Sequence, residues 1–167
     1  MPAYYYAGGR RVDLETDDEH VAVDQTAAEK AGLGPRLAGA LRPERASGVV
    51  LANRSALGED TVARLRQADA LHPVYKRDRA VVVALPEVRV EFDNAAQRRA
   101  VKDLLATSGL AEHTIAEDTD DRLVVHPASG SGDDALKIAN DIFERAHPAA
   151  SSVRFVQFVP KPSVVRS

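Results

Sequence analysis

Five histidines, His20, His72, His113, His126 and His147, are the side chains best suited to acid–base or metal chemistry in this chain. A helical metal or proton-transfer site needs a second histidine or a carboxylate three or four residues away on one face. None of the five has such a neighbour in a predicted helix, and His72, His126 and His147 each precede a proline. Glu112, His113 and Glu117 bring ligand types together, but their pattern is that of an exposed strand end and its turn. Cysteine is absent, which removes disulfides, thiol nucleophiles and thiolate metal sites.

The other candidate groups reduce in the same way. The acidic runs Asp13–Glu19 and Glu117–Asp121 lack the D-x-[DN]-x-[DN]-G spacing and closing glutamate of a calcium loop, so they read as solvated hairpin tips. Ser129-Gly130-Ser131-Gly132 stands where backbone N–H groups could receive a phosphate. It has no lysine and no P-loop frame, and reads as a capped turn. Tyr4, Tyr5 and Tyr6 alternate faces if the segment is a strand, so packing at a sheet edge is expected rather than a stacking platform. No serine sits in G-x-S-x-G. The residues therefore point to a protein that is not an enzyme and that carries no metal and no cofactor.

Charge narrows the partners. The 167 residues are 44% hydrophobic and 28% charged, with a net charge of −3. Basic and acidic residues are spread evenly on either side of Asp78, with no Lys/Arg block for nucleic acid or a membrane surface. Only 5% of residues are aromatic, so an RNA-reading sheet or a small-ligand pair of lobes ranks last among the functions considered. The longest apolar stretch, Ala80–Pro86, is far short of a membrane span. The N-terminus has no apolar segment behind a basic one, so a cytoplasmic location is expected, with export only as part of a longer precursor.

The elements that must position these residues fall into two similar halves. Tyr4-Tyr5-Tyr6, Gly8-Gly9 and Arg10–Leu14 predict a leading hairpin. Val21-Ala22-Val23, a helical stretch from Ala27 to Leu41 interrupted by Gly32, Gly34 and Pro35, a reduced strand near Arg42–Ala46, Gly48–Ala52, a helix from Glu59 to Ala70, and Pro73–Tyr75 follow in order. The second half repeats that order with Val88–Phe92, a helix after Asn94, strands at His113–Ile115 and Leu123–Val125, a helix capped by Ser131 and running to Ala146, and Val153–Val159. This is an α+β pattern of two ferredoxin-like (split βαβ) lobes in tandem, with antiparallel sheets and helices on one face. The expected division is 1–79 for the first lobe with its leading hairpin, 80–160 for the second, and 161–167 for an extended tail.

The ordered segments carry a family resemblance. Tyr4-Tyr5-Tyr6-Ala7-Gly8-Gly9-Arg10-Arg11-Val12-Asp13-Leu14 with His20-Val21-Ala22-Val23 resembles the "YY-x-GG-x-x-V-x-L … VAV" opening of bacterial subtilisin-like serine peptidases, ahead of their pro-domain. Pro73-Val74-Tyr75 with Glu87–Phe92 is similar to their "PVY … EVVVRF" segment. Asp133–Asn140 resembles their "D-A-L-x-x-A-N-x-L" helix, and Val153–Val156 stands where they carry the last "VEYAEPN" strand. No D-T-G, H-G-T-H or G-T-S-M segment is present, so the triad of the catalytic domain is missing, and Gln157–Pro160 replaces "AEPN".

The resemblance implies an inhibitor and folding chaperone of a subtilisin-type serine protease, in cis or in trans. The sheet face would lie on the protease, with Phe155, Val156 and Phe158 as its contact residues. The tail would lie in the substrate cleft as an added strand, with Val164, Val165, Arg166 and Ser167 lining the pockets. The alternative is a stand-alone interaction module, an adaptor or sensor that keeps the scaffold but binds another effector. The competing expectation for the sheet face is that the two lobes pack their sheets together.

Overall fold

A computed structural model describes residues 3–37, 41–46, 48–107 and 109–158. The chain opens on a turn in which Gly8 and Gly9 both hold positive φ, 57° and 79°, a geometry that suits hairpin twist and that residues with a Cβ resist. Strands β1 (Ala3–Ala7) and β2 (Arg10–Thr16) pair across it, Tyr5 opposite Val12.

The next eight elements build a small sheet with its own helices. They are β3 (His20–Asp24), α1 (Gln25–Lys30), α2 (Gly34–Leu37), β4 (Leu41–Ala46), β5 (Val49–Asn53), α3 (Arg54–Leu57), α4 (Glu59–Gln67) and β6 (Leu71–His72). Asp24 caps α1 by accepting from the Ala27 amide at 3.1 Å. Gly32 at φ 74° divides the helical stretch expected over 27–41 into α1 and α2.

The remaining elements are β7 (Val74–Arg77), β8 (Ala80–Glu91), α5 (Ala95–Leu105), β9 (His113–Asp118), β10 (Arg122–Pro127), α6 (Gly132–Ala146) and β11 (Ala150–Phe158). Asn94 caps α5 by accepting from the Gln97 amide at 2.9 Å, and the Gln97 side chain returns the bond by accepting from the Asp93 amide at 2.7 Å. The Ser131 hydroxyl caps α6.

Both sheets are antiparallel, so the α+β class read from the sequence is the observed one. The small sheet runs β4-β5-β3-β6, and the second half runs β9-β10-β8 with β11 on the other edge of β8. Counted within its own half, each set of four strands follows the order second, third, first, fourth.

Two placements differ from the sequence expectation. The strand that closes the first half is Leu71–His72, not Pro73–Tyr75. Pro73 has no N–H for a ladder, and at that residue the chain leaves the small sheet, so Val74–Arg77 pairs with β8 in the large one. The leading hairpin, expected with the first lobe, also joins the large sheet, where Glu15 and Thr16 pair with Lys76 and Tyr75.

Strand β8 organises the large sheet. β11 follows one edge of it, from Ala150 opposite Glu91 to Phe158 opposite Val81. The other edge is shared, by β7 against residues 80–83 and by β10 against residues 88–91. The register against β11 slips by two residues where Leu85, Pro86 and Glu87 bulge, which again puts a proline where no ladder bond is required.

The layers then follow from alternation along the strands. Val21, Val23 and Ala52 face Leu33, Leu37, Val62 and Leu65 of the first helical layer. Ala84, Val88, Val90, Leu123, Val125 and Val153 face Val101, Leu104, Leu105, Leu136, Ile138 and Ile142 from α5 and α6. Between the sheets lies a third cluster: Ala22, Val49 and Leu51 from the small sheet meet Val74, Val83, Leu85, Val156 and Phe158 from the large one. The order of layers is helices, small sheet, large sheet, helices.

The hairpin adds a flap over α6. Tyr6 stacks on Phe143 with ring centroids 4.3 Å apart, the Tyr4 hydroxyl donates to Glu144 at 3.0 Å, and Asn140 donates from Nδ2 to the Tyr4 carbonyl at 2.9 Å. The tyrosine run thus packs at an edge, as its alternation implies. Among the described residues no helix is long and apolar enough to cross a membrane.

Candidate functional site

The residues expected to meet a protease fall on different sides of β11. Val156 and Phe158 are 7% and 6% exposed and lie in the apolar seam between the sheets, beside Val83 and Leu85. Phe155 points the other way, its ring edge-on to Tyr5 at 4.9 Å and packed on the core under α6. The large-sheet face is therefore covered by the small sheet, and the three residues do not form one exposed patch. Val164, Val165, Arg166 and Ser167 lie outside the described residues. The strand leading toward them ends with Phe158 opposite Val81 at the start of β8, at the rim of the large sheet. There Arg77 donates to the Gln157 side chain at 3.2 Å and also to the Tyr5 hydroxyl.

Open space is found beside the seam. A cleft of about 520 Å³ runs from Asp18 and Arg66 to Tyr75 and Ser131, and a second of about 570 Å³ runs from Asp24 past Pro86 to His126. His72 lines both. Its side chain is 7% exposed, its Nε2 is 3.7 Å from Asp24 Oδ2, and its Nδ1 is buried with no hydrogen-bond partner. Burial holds its imidazole below the ordinary value of 6.5, against the opposing pull of Asp24. His126 and Glu87 repeat a 3.7 Å separation in the second cleft. Both separations exceed hydrogen-bond reach. Among the described residues no three His, Asp or Glu side chains are arranged to hold a metal ion.

The most constrained polar group was hidden in an acidic run. Asp17, expected at a solvated tip, is buried, with its side chain fully enclosed. It accepts from the Glu19 amide at 2.8 Å, from the His20 amide at 3.0 Å, and pairs with His20 Nδ1 at 3.0 Å. Burial alone would raise this carboxyl, but the His20 ring and the two amides prevail and hold it below its ordinary 3.8. Its spacing to His20 is the one local clue, since an aspartate accepting from amides two and three residues on forms an Asx turn.

The other candidate groups are engaged in local bonds. His113 Nδ1 is 2.8 Å from the Ala111 carbonyl, and Glu117 pairs with Arg122 at 2.7 Å on the exposed β9–β10 hairpin. In the 129–132 turn, Ser129 donates to Asp134 at 2.6 Å and itself accepts from the Ser131 amide. Tyr75 donates to Asp133 at 2.8 Å, and burial together with that carboxylate drives the phenol well above its ordinary range. With two carboxylates of its own in the first turn, the α6 terminus is not prepared for an anion. Compared with protein families, curated proteins and solved structures, the chain matches none of them.

Proposed function

We propose that the chain is a non-catalytic partner of a subtilisin-type serine protease, acting as inhibitor and folding chaperone in the manner of a subtilase pro-domain. The ordered motifs from Tyr4 to Val156 support this, and the observation that carries it is the rim position of β11. β11 ends with Phe158 opposite Val81, and a peptide continuing from that end would act by adding to the protease's own strands in the substrate cleft. Contact through the sheet face requires Val156 and Phe158 to be uncovered, so in the closed arrangement the tail is the first point of engagement. The pair would work in the cytoplasm unless the chain is exported within a longer precursor.

A second reading has its own support. The covered large-sheet face favours a stand-alone adaptor or sensor module, whose partner binds elsewhere on the surface.

Inhibition of a purified subtilisin-type protease by the whole chain, against a chain lacking residues 160–167, separates the two. Loss of the tail should weaken inhibition at least about tenfold, equivalent to about 1.4 kcal/mol. Equal inhibition by both would remove the tail from the mechanism, and no inhibition by either would leave the adaptor reading.

A further inference from the structure

Residues 20–72 enter and leave the large sheet at one place. β2 ends at Thr16, paired with Tyr75 of β7, and between these neighbours the chain departs through Asp17–Glu19 and returns through Pro73. What lies between is a unit with its own sheet, helices and core. Among the described residues no strand of one sheet pairs with a strand of the other; they meet face to face through side chains. A unit with adjacent ends and its own core can move as one rigid piece about its connecting segments when the apolar seam that holds it is released.

The connecting segments are pinned to each other. The Asp17 amide donates to the Val74 carbonyl at 3.0 Å, while the Asp17 carboxylate gathers the Glu19 and His20 amides and the His20 ring. Pro73 restricts the second segment and accepts from the Ala84 amide at 3.2 Å.

We propose that residues 20–72 form a hinged cap, pivoting at Asp17–Glu19 and Pro73, which lifts from Val74, Val83, Leu85, Val156 and Phe158 without unfolding of either half. The consequence for a protease rests on the function proposed above: the cap and the protease compete for the same apolar face, and the Asp17 turn sets how often the cap opens.

The absence of cysteine makes the test clean. Single substitutions Val83→Cys and Val156→Cys report the seam. Val88→Cys reports the core under α5 and α6, and Val23→Cys the core of the cap; each small thiol stands in for a buried valine. Thiol labelling under native conditions should be about 100-fold faster or more at the two seam positions than at the two core positions, as local opening requires. Asp17→Ala should raise the seam rates about tenfold and leave the core rates unchanged. Should Val83→Cys fail to fold, Val156→Cys still carries the comparison. Equal rates at all four positions would overturn the hinge, because opening would then be global unfolding.

Inhibition by the Asp17→Ala chain separates the consequences. Tighter inhibition supports competition. Unchanged inhibition with fast seam labelling keeps the hinge and overturns competition. No inhibition by any chain overturns the protease function and leaves the hinge to the labelling result.

Discussion

Gly132 opens α6 against the large sheet, and replacing it with alanine tests the packing at the centre of the molecule. Its φ is not in the positive region, so the backbone accepts an alanine. At an open helical site the exchange would stabilise by about 0.5–1 kcal/mol, because alanine restricts the unfolded chain more than glycine does. Here the new Cβ would lie 2.1 Å from the Ala84 carbonyl oxygen and 2.9 Å from both the Ala84 carbonyl carbon and Pro73 Cδ. None of these atoms can rotate away. Ala84 is held in β8 opposite Phe155, and Pro73 is the return segment of the cap. Reaching an ordinary contact of about 3.5 Å requires the helix start to retreat by about 1.4 Å. That movement strains the Tyr75–Asp133 bond and loosens Ala135 and Leu136. Overpacking of this kind costs about 1–3 kcal/mol, and contact with fixed backbone places Gly132→Ala at the upper end. With a urea slope of about 2 kcal/mol/M, the midpoint of far-ultraviolet circular dichroism unfolding should fall by about 1.5 M. An unchanged or higher midpoint would refute the close approach of α6 to β8, since the intrinsic effect of the substitution has the opposite sign.

Two further substitutions probe buried polar groups. Asn140→Asp removes the donor that holds the Tyr4 carbonyl and sets a carboxylate beside it in a buried position. It should cost about 2 kcal/mol or more at pH 7, with recovery as the pH falls and the new acid is protonated; a pH-independent loss in urea titrations would contradict this. His72 carries a pH dependence of definite sign. Its folded value is lowered by burial, so the unfolded chain takes up the proton more readily, and the contribution to stability is complete above about 6.5 and lost as the pH falls toward the lowered value. His72→Leu should therefore flatten the slope of stability between about pH 7.5 and 5.5, and an identical slope in both chains would count against a buried neutral His72.

Much of the fold was legible because it is written locally. Gly8-Gly9 between the tyrosine run and the alternating Arg10–Leu14 segment specifies a turn, and Ala135, Ile138 and Ile142 at helical spacing specify the buried face of α6. The apolar residues on both sides of β11 fit either a partner on the open face or the packing of one lobe on the other; the second is what Val156 and Phe158 show, while Phe155 faces the core under α6. What covers the second side is a non-local fact. Ala22, Val49 and Leu51 look like any half-buried strand residues, and nothing in their spacing says that they meet β8 and β11. The change of sheet at Pro73 is not legible because Leu71-His72 is too short to show alternation beside the helix before it, so the closing strand is expected at Pro73–Tyr75, although a proline there is the physical signal of a break. Asp17 was hidden among Asp13, Glu15, Asp18 and Glu19, and only its position relative to the Glu19 and His20 amides distinguishes it from a solvated acid.

Protease recognition is tested most directly by mixing the whole chain with a subtilisin-type protease whose nucleophilic serine has been replaced, so that binding is separated from cleavage. Size-exclusion chromatography with light scattering then weighs the complex. The proposed function predicts a one-to-one complex at micromolar concentrations that is weakened by deletion of residues 160–167. Two separate peaks at every concentration tested, with the chain shown folded by circular dichroism, would contradict it.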